Sequence, residues 1–232
     1  MKRRAVFAGA IAAPLLAPAA HAAPVLWYAE DFEGAVDTTM WSSNYRTGQT
    51  DAFTRFAGNM GAEALRLWAD VAPPLRSTDG GDGGDSGGGG NVTYDLYYTL
   101  SFDLYIIDTW DGYEPTYGTD SFRVIANSQT ILDDTFSNQQ NLQSFRPADE
   151  VGMFGYDPLA RDSIYRSVSF EFQIADTDPS VALRWVGYTT QSLQDESWGI
   201  DNVQLSYEYR AVPAPASLLS LGALIAVRRR RR

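Results

Sequence analysis

The sequence predicts an all-β protein, a two-sheet antiparallel β-sandwich. Three observations carry this. Residues 92–106 place Val92, Tyr94, Leu96, Tyr98, Leu100, Phe102, Leu104 and Ile106 at every second position, and Thr93, Asp95, Thr99, Ser101 and Asp103 fill most positions between. Alternation of period two is the mark of a strand with one buried face. Residues 167–174 repeat the pattern, with Val168, Phe170, Phe172 and Ile174 alternating with Ser167, Ser169, Glu171 and Gln173. No segment sustains a helical period, and 20 Gly, 13 Tyr and 11 Phe favour strands and turns. Many strands without helices can bury their apolar faces only against a second sheet.

Shorter strands are expected at 26–33, 53–57, 63–70, 121–126, 130–136, 181–187 and 198–209. Asn127-Ser128 separates two of them and reads as a hairpin turn. Trp185 and Trp198 fall inside strand patterns and read as core. Asp79 to Asn91, DGGDGGDSGGGGN, is the one low-complexity stretch and reads as a loop between strands. A calcium-binding glycine turn is the sharper reading, but such turns share each ion with stacked neighbours, and only one irregular copy exists. No repeat or linker divides residues 26–210, which are expected to form one domain.

The last strand carries an irregularity. Trp198 and Ile200 are apolar at even positions, whereas Val203, Leu205, Tyr207 and Tyr209 are apolar at odd ones. A slip of one at Asp201-Asn202 predicts a β-bulge that re-aims the Asp201 side chain.

The two ends read as processing signals. Lys2, Arg3 and Arg4 precede an apolar run, and Ala20-His21-Ala22 is an A-x-A cleavage site, so residues 1–22 read as a signal peptide cut between Ala22 and Ala23. Ser217 to Val227 is uncharged but short of the roughly 20 residues that a permanent span needs. Val212, Pro213, Ala214, Pro215 and Ala216, the apolar run, and an Arg cluster that includes Arg228, Arg229 and Arg230 resemble the PEP-CTERM sorting signal of Gram-negative bacteria, in its VPAPA-type form. That resemblance covers residues 211–232. It implies recognition and removal of the tail by an exosortase-type transpeptidase, only transient membrane contact, and delivery through the inner membrane to the envelope surface or extracellular matrix. Extracellular polysaccharide is the partner it suggests.

Trimming both ends removes Lys2, Arg3, Arg4 and Arg228 to Arg232, leaving 10 basic against 29 acidic residues, a net charge of −19. Nucleic acid and anionic membranes are poor partners for such a chain, and divalent cations good ones. There is no Cys, and the single His (His21) and single Lys (Lys2) leave with the leader. The trimmed chain therefore lacks Ser-His-Asp, Cys-His, Ser-Lys and Schiff-base machinery and the usual zinc and copper ligands. Carboxylate chemistry and oxygen-ligand metal binding survive.

Two acidic constellations stand out. The body opens Glu30-Asp31-Phe32-Glu33-Gly34 and closes Trp198-Gly199-Ile200-Asp201-Asn202-Val203-Gln204-Leu205. This pair of motifs resembles the first and last strands of jelly-roll carbohydrate-binding modules and of MAM and reelin-type domains. The resemblance implies a jelly-roll, concanavalin A-like or galactose-binding-like sandwich with a structural calcium, and by position it puts Glu33, Asp201 and then Asp31 on that ion. The second constellation is Asp108, Asp111 and Asp120 in one loop, a further candidate calcium site. The same loop offers Trp110, Tyr113 and Tyr117 as faces for a sugar ring.

The expected function is an exported, sorted, non-enzymatic and calcium-stabilised β-sandwich with a structural or exopolysaccharide-associated role. Two alternatives stay open. One is a lectin-like carbohydrate-binding module. The other is a glycoside hydrolase with paired carboxylates, although no E-x-D-x-x-E strand motif is present and neighbours such as Asp133-Asp134 alternate faces.

Overall fold

The computed structural model describes residues 23–69, 94–114, 116–139, 142–175, 178 and 180–212. The leader through Ala22, the glycine-rich segment, and the tail residues Pro213, Ala214, Pro215, Ala216, Arg228, Arg229 and Arg230 lie outside these. Ala23 and Val212, at the borders, are exposed.

The described chain is the two-sheet antiparallel sandwich that the alternation predicts. One sheet contains β1 (Val25–Glu30), β2 (Thr47–Gly48), β3 (Phe56–Met60), β5 (Tyr94–Asp108), β8 (Glu150–Gly152), β9 (Asp162–Phe172) and β11 (Glu196–Ala211). Its order is β2-β3-β11-β5-β9-β8, with β1 also paired to β11. The other sheet contains β4 (Ala64–Ala69), β6 (Ser121–Ala126), β7 (Gln129–Thr135) and β10 (Val181–Tyr188), in the order β4-β10-β6-β7. Every pairing is antiparallel.

The long alternating run becomes β5, the centre of the large sheet. Leu100, Phe102, Leu104 and Ile106 are buried in the core with Trp198, Ile200, Val203 and Leu205 of β11. Leu65, Leu67, Phe122, Val124, Leu183 and Trp185 of the small sheet close that core. Rings cross the gap between sheets: Phe102 meets Trp185 edge-on at 5.9 Å, and Phe122 meets Trp198 at 5.0 Å. Burial of each such side chain contributes about 1.5–3 kcal/mol. The opposite face of β5 is not left to water. Phe53, Phe56, Tyr105, Ile107 and Ile164 form a second, smaller cluster, with Phe154 packed against it.

The β11 bulge lies where the period slips. Asp201 pairs with Asp103, but the next pair is Gln204 with Ser101, so β11 carries one extra residue, and Asn202 has φ 50°. A second bulge faces it across β5: Phe102 pairs with Val168 but Leu104 with Tyr165, and Ser167 has φ 49°. Asp103 ties the two together. Its Oδ1 accepts from the Ser167 N–H at 2.7 Å, and its Oδ2 accepts from Arg166 Nη1 and Asn202 Nδ2, both at 3.0 Å.

Antiparallel registry brings four connections to one end of the sandwich. Asp108 pairs with Glu196, Tyr188 with Ser121, Ser121 with Thr135, and Gly152 with Asp162. The described residues of segments 109–120, 136–149, 153–161 and 189–195 therefore share this end, and most of the buried acids are found here.

Candidate functional site

Glu196 opens β11 two residues before Trp198 and shares its inward face, so its carboxylate is carried to the end of the core and is fully buried. Asp120 stands just before β6 and is 1% exposed, while Asp111 is 9% exposed. Among the described residues these three form the one acidic group whose ligand oxygens all lie within 4.8 Å of one another.

Local hydrogen bonds fix the geometry. The Asp111 N–H donates to Asp120 Oδ2 at 2.6 Å, and the Asp120 N–H donates to the Gly112 carbonyl at 2.7 Å. Gly112 has φ +71°, and a Cβ there would stand 1.8 Å from the Leu142 carbonyl oxygen, so glycine is required for this crossing. Gln191 closes the group from the 189–195 loop. Its side-chain amide donates to Glu196 Oε1 at 2.8 Å and Asp111 Oδ2 at 3.2 Å, and its backbone N–H donates to Glu196 Oε2 at 3.1 Å.

Charge is left over. Asp120 Oδ1 is buried and receives no donor from the protein. Burial first, and then the neighbouring Asp120 charge, pushes the Glu196 carboxyl up, and burial pushes Asp120 up as well. Asp111 is raised by burial and then by Asp195. Abutting carboxylates of this kind need a proton between them or a cation. The donor set is all oxygen, which suits a hard divalent ion such as calcium.

The sequence expectation for this site is corrected at one residue. Asp108 does not join Asp111 and Asp120. It ends β5 with φ 67° and turns toward the 153–161 loop, where its Oδ1 accepts from the Asp157 N–H at 3.1 Å. There it sits beside Asp162, which accepts from the backbone N–H groups of Asp108 and Gly155 at 2.8 and 2.6 Å and from that of Phe154. Glu196 takes the place expected for Asp108. Its signal was legible, since a carboxylate in phase with Trp198 and Ile200 must face inward.

Trp110 is also corrected. It is fully buried, with Nε1 donating to the Ser197 carbonyl at 2.9 Å, so it offers no face to a ligand. Tyr113 and Tyr117 are exposed, at 51% and 63%. Asp31, Glu33 and Asp201 do not form a group with their oxygens within 4.8 Å of one another, although Glu33 lies near enough to Asp201 to push its carboxyl up. Asp31 Oδ1 accepts from the Glu33 N–H, Glu33 Oε1 accepts from the Arg55 N–H, and Asp201 Oδ2 accepts from the Tyr105 hydroxyl at 2.9 Å. The bulge does re-aim Asp201, but onto Tyr105 in the outer cluster and onto the Asn202 N–H.

No family model and no curated protein matches this chain. The site must therefore be read from its own chemistry. Beside the acidic group lies a groove of about 550 Å³, lined by Asp111 and Gln191 together with Glu114, Thr116, Tyr117 and Gln139. An adjoining hollow of about 260 Å³ shares Thr109 and Gln139 with it and continues toward Leu159 and Arg161. Only Asp111 of the three acids reaches the groove wall.

Proposed function

We propose that this chain is an exported, non-catalytic β-sandwich, stabilised by calcium and sorted to the cell surface or matrix, where it has a structural or polysaccharide-associated role. The observation that carries the calcium reading is the buried oxygen-only group of Asp111, Asp120 and Glu196 with its donorless Asp120 Oδ1. A dication would neutralise most of this charge and join three segments of the chain, namely loop 109–120, the start of β11 and loop 189–195. The absence of His, Lys and Cys after trimming supports a non-catalytic role, and burial of Asp120 and Glu196 keeps two of the three acids out of the groove, whose carboxylates are Asp111 and Glu114.

Calcium at a hundredfold excess over its Kd should stabilise the protein by about 2.7 kcal/mol. For a chain of this size that raises the Tm by about 5–11 °C, with EDTA reversing the gain. Asp120→Asn should abolish the response and leave the cation-free protein at least as stable as the parent. A scanning-calorimetry trace indifferent to both calcium and EDTA would rule the reading out.

Sorting makes a separate prediction. Intact-mass measurement of the secreted form should give a chain beginning at Ala23 and lacking the Arg cluster. Cells without the transpeptidase should accumulate a longer, membrane-associated form. Recovery of secreted protein that still ends in Arg232 would exclude exosortase processing.

A further inference from the structure

A cation held by Asp111, Asp120 and Glu196 would not be sealed inside the protein. Calcium takes six to eight oxygens, and three carboxylates with one side-chain amide oxygen leave positions for oxygens from elsewhere. Asp120 and Glu196 are enclosed by the core, whereas Asp111 and Gln191 line both the acidic group and the groove. The unfilled positions therefore open onto the groove. Gln191 can serve both states. Its amide nitrogen now bridges Asp111 and Glu196, and a rotation of that amide presents its oxygen instead.

The groove limits what can enter. Its volume lies within the range of small-ligand sites. Its described wall is made of amides, hydroxyls, carboxylates, Leu142 and the exposed Tyr117, with no basic residue among the described lining residues. A dication on three carboxylates leaves one negative charge, and Glu114 in the wall and Asp195 beside Asp111 add to it. A uronate, phosphate or sulfate group would face uncompensated acids. A neutral hydroxyl pair can bind a cation without that repulsion, and a sugar ring can lie on an aromatic face at the lip. The adjoining hollow beyond Gln139, which Arg161 borders, gives room for a chain rather than a single residue, and the repulsion of acidic groups applies to the sugar residue at the cation.

We infer that the groove is the open side of the cation site and takes a neutral saccharide chain, with hydroxyl oxygens of one sugar residue completing the cation's coordination and Tyr117 supporting the ring. This rests on the calcium reading above, and the experiment separates the two. The purified protein is applied to an array of neutral and acidic glycans in calcium chloride and in EDTA, with the calcium-dependent rise in Tm measured on the same preparation. Neutral glycans should be retained in calcium and released by EDTA. Tyr117→Ala should bind them at least tenfold more weakly with its calcium-dependent rise in Tm unchanged, since only the Tyr117 backbone carbonyl is tied down, by Thr190 Oγ1 at 2.9 Å. A calcium-dependent rise in Tm without retention of any neutral glycan would overturn the groove assignment alone. So would retention that persists in EDTA, retention of acidic glycans only, or a Tyr117→Ala variant that binds as well as the parent. No calcium-dependent rise in Tm would remove the cation reading and the groove assignment with it.

Discussion

Trp198→Ala is expected to destabilise the protein by about 5 kcal/mol. Truncation of a buried tryptophan costs about 3–5 kcal/mol through lost burial and the cavity left behind. Here a hydrogen bond is lost too. Trp198 Nε1 donates to the Gly61 carbonyl at 2.8 Å, and no other side chain stands in its place. The Gly61 carbonyl keeps the Glu63 N–H at 2.7 Å, so this loss is that of one ordinary hydrogen bond, about 0.5–1.5 kcal/mol. The surroundings are also poorly placed to collapse. A Cβ at Gly187 would lie 2.3 Å from Trp198 Nε1, so the indole already rests on β10 backbone, and Phe122 packs edge-on against its other side. Trp198→Phe should keep most of the packing and lose about 1 kcal/mol, chiefly the hydrogen bond. Urea denaturation of the three proteins checks this, and a Trp198→Ala midpoint that implies a loss under about 1 kcal/mol would contradict the core assignment. A loss near 5 kcal/mol approaches the whole stability of many domains. The same strand carries Glu196, so the packing of Trp198 also fixes one wall of the acidic site.

The features legible in sequence are those set by local alternation. The buried face of β5, the hairpin at Asn127-Ser128, and the bulge at Asp201-Asn202 each follow from which neighbours are apolar. β9 was only half legible for the same reason. Its second half alternates cleanly from Ser167, but the bulge at Arg166-Ser167 throws Ile164 and Tyr165 out of phase, so the strand was expected to begin at 167 rather than Asp162. β2 and β8 have two and three residues, too few to show a period.

Site residues depended on geometry that no single segment encodes. Asp111 and Asp120 meet in a loop that Gly112 lets pack against the Leu142 carbonyl of the next connection, and Asp108, three residues before Asp111, is turned the other way by its left-handed backbone. Gln191, a residue with no motif around it, enters only because β10 returns to the same end. Trp110 could be read as a ligand face or as core, and only the Ser197 carbonyl above its indole nitrogen decides for core.

Without cation, stability should fall as pH rises from about 4 to 7, the reverse of the usual carboxylate case. Burial pushes the Asp108 carboxyl up to about 6, with the Asp162 and Asp157 charges adding to it, and burial likewise pushes Asp201 up to about 6, with Asp103 and Glu33 adding. The unfolded chain titrates these groups near 3.9. Between the two values the folded protein holds more protons than the unfolded one, so ∂ΔG/∂pH is negative there. Each raised carboxyl stabilises the fold fully below about pH 4 and no longer does so above about 6. At about 1.36 kcal/mol per unit, the two groups together cost at most about 6 kcal/mol over that window. Both are closed to solvent, at 1% and 3% exposure, but lie at moderate depth, so the cost falls below that limit. Carboxyls held low by surface arginines, such as Glu63 and Glu171, act in the opposite sense mainly below pH 4.5 and are screened. Thermal melts in EDTA should therefore show a Tm lower by about 10–20 °C at pH 7.5 than at pH 4.5. Asp108→Asn should remove part of the slope and raise the Tm at pH 7.5. The amide keeps the acceptor for the Asp157 N–H, suits the positive φ, and puts an uncharged group where Oδ2 finds no donor. Calcium should restore stability at pH 7.5, where the triad is readily ionised, and do little at pH 4.5, where protons compete for the same oxygens. A Tm that climbs steadily from pH 4.5 to 7.5 in EDTA would mean that Asp108 and Asp201 are not held protonated by burial, and that these two positions are wetter than their packing indicates.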